Sequence, residues 1–176
     1  SLKSQEIDFE IYYSYKTNPV PGILRVLHEY GIGAEVISPY ELWLALKLGV
    51  VPEKIVYNGP NKSDEGLRCA IERNINLINV NSFNEIDKIE NIARELRARP
   101  SVGVRVSTTS GWSNQFGFGI KSGDAFKAFE KLSRTNSVQV VGIHVHLGSG
   151  IRNTAIYETA TEDITDFMHA LKEKLN

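Results

Sequence analysis

Residues 9–48, FEIYYSYKTNPVPGILRVLHEYGIGAEVISPYELWLALKL, hold two strand-then-helix units in direct succession. Residues 9–15 are β-branched and aromatic and predict a strand. Pro19 and Pro21 then lead into a helical spacing at Ile23, Leu24 and Leu27 that stops at Gly31. A short strand at residues 34–37 is followed by Ser38, Pro39 and Glu41, which supply an N-cap, a first-turn proline and a capping-box acid for a helix through Leu48. No second strand intervenes between a strand and its helix, so the connections are crossovers and the strands they join are parallel.

The alternation continues to the end of the chain. Residues 54–57 and the Asn58-Gly59-Pro60 turn open a third unit, with its helix over residues 63–73. Residues 76–80 begin a fourth, with a second capping box at Ser82 and Glu85 and a helix toward Arg99. Residues 101–106 and 125–132 make a fifth around an unusually long loop, and residues 138–147 and 157–175 a sixth. The expected class is α/β, a partial (β/α)8 TIM-type barrel with about six of the eight units that a chain of roughly 200 residues or more would need. An open doubly wound sheet has the same periodicity and stays open as an alternative.

Composition narrows the function classes. With 41% hydrophobic and 23% charged residues in 176, the chain can build a sizeable core. A formal charge of -1 leaves no basic field for nucleic acid or an anionic membrane, so neither is an expected partner. The single cysteine, Cys69, cannot form an internal disulfide, and no apolar run has the length of a membrane span. A cytoplasmic setting is expected. The chain opens on Ser1, and residues 2–9 lead almost at once into a strand, so this beginning reads as cut.

Parallel strands covered on both faces are normally continuous apolar runs, so polar residues recurring in them with a period of two need an explanation. In Val102-Gly103-Val104-Arg105-Val106 the valines share the face toward the helices, which turns Gly103 and Arg105 inward. In the stretch from Val141 to Leu147, Gly142, His144 and His146 turn inward and the aliphatics outward. Ser14 and Lys16 share a face with Tyr12, opposite Ile11, Tyr13 and Tyr15. Lys16, Arg105 and His146 fall at the carboxyl ends of their strands, where α/β sheets and barrels place their sites. An inward lysine, arginine and histidine pair is costly without a partner and marks a candidate site. Each has a plainer reading too: a solvated lysine, a hydrogen-bonded histidine pair in the core, a simple turn at Gly148-Ser149-Gly150. The His-x-His spacing also suits zinc, but no third ligand stands at a telling distance, so no metal is expected. The small residues and hydroxyl of Gly148-Ser149-Gly150, read as lying directly before a helix, also suit a phosphate.

Tyr13-Ser14-Tyr15-Lys16-Thr17-Asn18, Gly33-Ala34-Glu35-Val36-Ile37-Ser38 with Glu41-Leu42, Asn58-Gly59-Pro60, and His144-Val145-His146-Leu147-Gly148-Ser149-Gly150 together resemble the fold-type III pyridoxal-phosphate-dependent decarboxylases, the diaminopimelate, ornithine and arginine decarboxylase group. Gly103-Val104-Arg105-Val106 and Gln115-Phe116-Gly117 extend the resemblance over nearly the whole chain. It implies an alanine-racemase-like barrel and pyridoxal 5'-phosphate as cofactor. Lys16 would carry the internal Schiff base and assist reprotonation. Attack requires a neutral amine, which the resemblance expects burial and nearby positive charge to favour. His146 would lie against the pyridine ring as a second catalytic residue, Ser149 would bind the phosphate, and Glu35 and Arg105 would complete the cofactor site. Glu41 is the acid at the next helix start, and His144 ranks below the others.

The implied activity is decarboxylation of an amino acid, foremost diaminopimelate or a related basic or dicarboxylic one. An amino-acid racemase shares the barrel and lysine but not the HLGSG motif, and a non-catalytic regulatory homologue is the reading from another class. Pro39 and Tyr40 replace small residues of many relatives, and Gln115 stands where lysine is common. In such enzymes a glycine-rich phosphate loop, the acid for the pyridine nitrogen and a β domain come later in the chain. Residues 1–176 are accordingly expected to be an incomplete pyridoxal-binding barrel domain without that C-terminal domain, inactive on their own, from a protein that is a homodimer at full length.

Overall fold

The computed structural model describes residues 8–111 and 115–175. The reading of residues 2–7 as the approach to the first strand therefore lies outside the described residues. The strands are β1 (Tyr12–Ser14), β2 (Gly33–Val36), β3 (Ile55–Tyr57), β4 (Leu77–Val80), β5 (Ser101–Ser107), β6 (Phe118–Gly119) and β7 (Gln139–His144). The helices are α1 (Pro21–Glu29), α2 (Pro39–Lys47), α3 (Asp64–Glu72), α4 (Phe83–Leu96), α5 (Asp124–Ser133) and α6 (Ala155–Leu175).

Each main strand pairs in parallel with the next, β1 to β2 and so on to β5, which then pairs with β7. This sequential order decides between the two architectures. A doubly wound sheet reverses its order at a switch point, whereas a barrel adds each strand on the same side of the last. The sheet is an arc of such a barrel: among the described residues β1 pairs only with β2, and β7 only with β5.

The outward strand residues Ala34, Val36, Ile55, Tyr57, Ile78, Val80, Val102, Val104 and Val106 are buried beneath the helices, with Leu24, Leu42, Leu67, Ile86 and Ile89 among those pressed on them. Burial of each such aliphatic side chain contributes about 1.5–3 kcal/mol. Phe129 of α5 meets Phe167 of α6 edge to face, which seats the last helix. No described helix is long and apolar enough to cross a membrane.

The helix starts follow their expected caps, with one difference. Ser38, Ser63 and Ser82 accept from the backbone N–H three residues on. The acids Glu41 and Glu85, however, reach past the cap and accept from Ile37 N–H and Asn81 N–H, both at 2.7 Å. Each carboxylate thus closes the strand exit as well as the helix entry, and both are buried.

Three expectations are corrected. The first strand is shorter than residues 9–15: after Ser14 the chain tightens into a 3-10 turn, Tyr15–Thr17, so Lys16 sits on that turn. Its cause is the fully buried Tyr15, whose hydroxyl lies 2.6 Å from His28 Nε2 on α1. The last strand ends at His144, because beyond Arg105 strand β5 leaves β7 and pairs Val106 and Ser107 with Phe118 and Gly119. His146 therefore lies just past the strand, and β6 was hidden in the loop of the fifth unit. Finally, α6 begins at Ala155, not directly after the Gly148-Ser149-Gly150 turn.

Candidate functional site

The carboxyl ends of the strands surround a cavity of about 550 Å3, a size that admits a small-molecule cofactor. Lys16, Glu35, Arg105, His146 and Ser149, the five residues singled out in the sequence, all line it. They come from four different units, so the parallel order of the sheet is what gathers them. Ser14 and Glu35 are register partners across β1 and β2, and Arg105 and His144 across β5 and β7.

Lys16 lines the cavity but remains exposed, so the burial expected for it is not met among the described residues. The arc is open between β1 and β7, and Lys16 stands beside that gap. Glu35 is held from the side, accepting from Asn58 Nδ2 at 2.8 Å. Asn58 in turn accepts from Asn79 Nδ2 at 2.5 Å. Arg105 donates to Asn81 Oδ1 at 3.4 Å and lies 5.3 Å from the centre of the Phe116 ring. That fixes its guanidinium between an amide and an aromatic face. Burial weighs against its charge and Glu35 supports it.

Ser149 is flanked by Gly148 and Gly150 at φ 133° and 66°, so two glycines let this hydroxyl stand exposed on a tight turn. Behind it, a Cβ on Gly111 would come within 2.4 Å of the Leu147 carbonyl, so the loop after β5 packs directly on the backbone leading to this turn.

The two histidines differ. His146 is held below the ordinary imidazole value by burial, then by Lys16 and Arg105, against which Glu35 works. His144 is pushed down to about 4, first by burial and then by Arg105, His146, Lys62 and Lys16. Its Nδ1 is buried without a hydrogen-bond partner, as is Ser14 Oγ, and both residues line the cavity. Among the described residues no group of three or more His, Cys, Asp or Glu side chains is arranged to hold a metal ion.

The His144 shift makes stability depend on pH. Its folded value lies below the unfolded one, so its contribution is complete above pH 6.5 and is lost as the pH falls toward about 4. Allowing for residual exposure, the loss is on the order of 2–3 kcal/mol. The stability gap between wild type and His144→Gln, measured by urea unfolding at pH 7.5 and pH 4.5, should move in favour of the variant at the lower pH. A gap independent of pH would mean that His144 is not held neutral.

Sequence reasoning quoted Asn58 only within the Asn58-Gly59-Pro60 motif and missed Asn79 and Asn81; the three amides brace Glu35 and Arg105 from below. The signal was present: Asn79 and Asn81 stand two apart at the end of an otherwise apolar strand, the same periodicity that exposed Arg105 and the histidines.

Comparison with known proteins agrees with this geometry. The family model described as "Pyridoxal-dependent decarboxylase, pyridoxal binding domain" matches residues 1–175. Diaminopimelate decarboxylase of Aquifex aeolicus is 33% identical over 178 residues, covering 95% of this chain and 42% of that protein. The crystal structure of diaminopimelate decarboxylase from Methanocaldococcus jannaschii in complex with L-lysine superposes with a TM-score of 0.90 at 34% identity, covering 95% of this chain and 41% of that one. Lysine decarboxylase from Selenomonas ruminantium superposes with a TM-score of 0.78 at 26% identity. The chain thus spans about two-fifths of the length of these relatives. A match over all but the last residue, on a fold whose strand ends converge on a lysine, a histidine and a serine, leaves one conclusion: the chain belongs to the pyridoxal-dependent decarboxylases, within their pyridoxal binding domain.

Proposed function

We propose that this chain is the cofactor-holding part of an amino-acid decarboxylase that acts on diaminopimelate or a closely related basic or dicarboxylic amino acid. The observation that carries the reading is the single cavity lined by Lys16, Glu35, Arg105, His146 and Ser149. Its donor set fits pyridoxal phosphate: an amine for the aldehyde, an imidazole for the ring face, a hydroxyl for the phosphate, and the unpartnered Ser14 Oγ and His144 Nδ1 as further polar contacts.

Within this reading Lys16 would hold the cofactor through its amine and would return a proton to the substrate carbon. His146, held below the ordinary imidazole value first by burial and then by Lys16 and Arg105, would offer its flat ring face to the pyridine. Arg105 supplies a fixed positive charge, and Glu35, oriented by Asn58, balances it. Ser149 would hydrogen-bond the phosphate from the glycine-flanked turn. When bound, the pyridine ring supplies the electron sink that makes loss of carbon dioxide feasible.

The remaining parts of the reading rest on the relatives. Coverage of about two-fifths of the relatives' length supports a chain that is part of a longer protein; the β domain and the dimer partner that would finish the site follow from the family resemblance alone. Release of carbon dioxide from meso-diaminopimelate, lysine, ornithine and arginine by the full-length protein that carries this chain, loaded with pyridoxal phosphate, tests the reading. Diaminopimelate should be the best substrate. Release from another amino acid alone would move the substrate class, racemisation without release would make the protein a racemase, and neither would leave a cofactor binder.

A further inference from the structure

Behind the cavity wall lies a buried cation that the reading above does not use. Lys62 is 2% exposed and donates to three acceptors: Gly59 O at 2.9 Å, Asn79 O at 2.7 Å and Glu85 Oε1 at 3.0 Å. Those three bonds use every N–H of the ammonium. They tie together the loop after β3, the end of β4 and the first turn of α4. Glu85 is itself fixed, since its other oxygen accepts from Asn81 N–H at 2.7 Å.

Of the points that Lys62 anchors, Gly59 lines the cavity, Asn79 is one hydrogen bond from it through Asn58, and Glu85 is two through Asn81 and Arg105. Asn81 Nδ2 donates to the same two carbonyls, Gly59 O at 2.8 Å and Asn79 O at 3.1 Å, while its Oδ1 receives Arg105. Asn79 carries Asn58, and Asn58 carries Glu35. Gly59 lines the cavity at φ 89° with its backbone against Ile37 O, where a Cβ would approach to 2.3 Å.

A structural ion pair is the plain alternative. Replacing a buried pair by neutral residues of similar shape is often harmless to stability, whereas removing one partner strands the other charge. Burial pushes the Lys62 ammonium down, and Glu85 opposes that. Nothing in packing alone requires the three acceptors to be those that carry the two asparagine relays.

We propose that Lys62 is a positioning residue: with Glu85 it sets the Asn58-Gly59-Pro60 wall and, through Asn79 and Asn81, the placement of Glu35 and Arg105 toward the cofactor. The inference rests on the reading of the cavity as a pyridoxal-phosphate site.

Lys62→Met, Lys62→Met/Glu85→Gln and Asn81→Ala, made in the full-length protein that carries this chain and compared with its wild type for melting temperature and for affinity toward pyridoxal phosphate, test it. The single Lys62 variant should lose both. The double variant, with no stranded charge, should regain most of its melting temperature yet bind the cofactor at least tenfold more weakly than wild type. A double variant that recovers stability and affinity together, to within twofold, makes Lys62 a structural residue only and overturns the proposal. Should the double variant not fold, Asn81→Ala decides: it leaves the Lys62–Glu85 pair intact and should still weaken cofactor binding at least fivefold, and unchanged affinity overturns the proposal. If wild type itself takes up no pyridoxal phosphate, the cofactor reading fails and this inference falls with it. Normal wild-type binding with unaffected variants sinks this inference alone.

Discussion

Lys16→Ala should abolish covalent retention of pyridoxal phosphate outright while leaving the fold in place. Lys16 is on the Tyr15–Thr17 turn, exposed, and none of the core clusters includes it, so truncation removes little buried surface. Its neighbour Tyr15 keeps the turn where it is, through the hydroxyl on His28 Nε2, and His28 is anchored in turn by Nδ1 at 2.7 Å from the Ile32 carbonyl. The melting temperature should therefore stay within about 2 °C of wild type, the scale of a surface substitution of under 0.5 kcal/mol.

The covalent readout is all or none. Borohydride reduction of the cofactor-loaded protein followed by mass spectrometry should place the adduct on Lys16 in wild type and give none in the variant, with the yellow absorbance lost as well. Other lysines do not substitute for it: among the described residues Lys16 is the cavity-lining lysine, and Lys62, behind the wall, has its three donors engaged. An adduct that persists at another lysine would reassign the cofactor-holding amine. Loss of fold in the variant would show that Lys16 has a structural role the contacts do not reveal.

How much of this was legible in the sequence varies with the physics involved. The six main units were readable because strands and helices announce themselves by local means: a β-branched run, then the 3.6 spacing, with a serine cap and an acid three residues on at the starts of α2 and α4. The site residues on β5 and β7 were readable for a different reason. Arg105 and His144 break an apolar alternation, and burying such groups without a purpose is costly. Strand β6 was not readable, since Phe118–Gly119 is two residues long and exists only because β5 supplies a partner. The bulge at Val141, which lets Val140 face Val102 and Gly142 face Gly103, is likewise a property of the pair and not of the strand. Nor could sequential strand order be told from a doubly wound order, because both obey the same local periodicity. Lys62 was invisible for the opposite reason: a lysine between a turn and a serine-capped helix looks solvated, and only the convergence of Gly59, Asn79 and Glu85 on it shows otherwise.

Gly103→Ala should destabilise the protein by about 4 kcal/mol, combining overpacking with a broken buried hydrogen bond. Gly103 lies on the inner face of β5 opposite Asn79 and Gly142. A Cβ there would stand 2.1 Å from Asn79 Oδ1, well inside contact distance, and Asn79 is 2% exposed with no room to step aside. The amide cannot simply rotate, because its Nδ2 is committed to Asn58 Oδ1. Moving it breaks that bond and releases Asn58 from its hold on Glu35. The added methyl thus reaches the site through two relayed amides although Gly103 does not line the cavity. A fall in melting temperature of roughly 8–16 °C follows from the stability loss for a chain of this size, read by thermal unfolding at neutral pH. The companion variant Gly142→Ala is the control: its Cβ would meet nothing within 4 Å, so it should cost less than about 1 kcal/mol despite standing beside Gly103 in the sheet. Equal losses at the two positions would mean that glycine is needed here for strand backbone in general. A loss at Gly103 alone ties it to the Asn79 amide, and so makes the barrel's inner layer, not its outer hydrophobic face, the part that holds the site in shape.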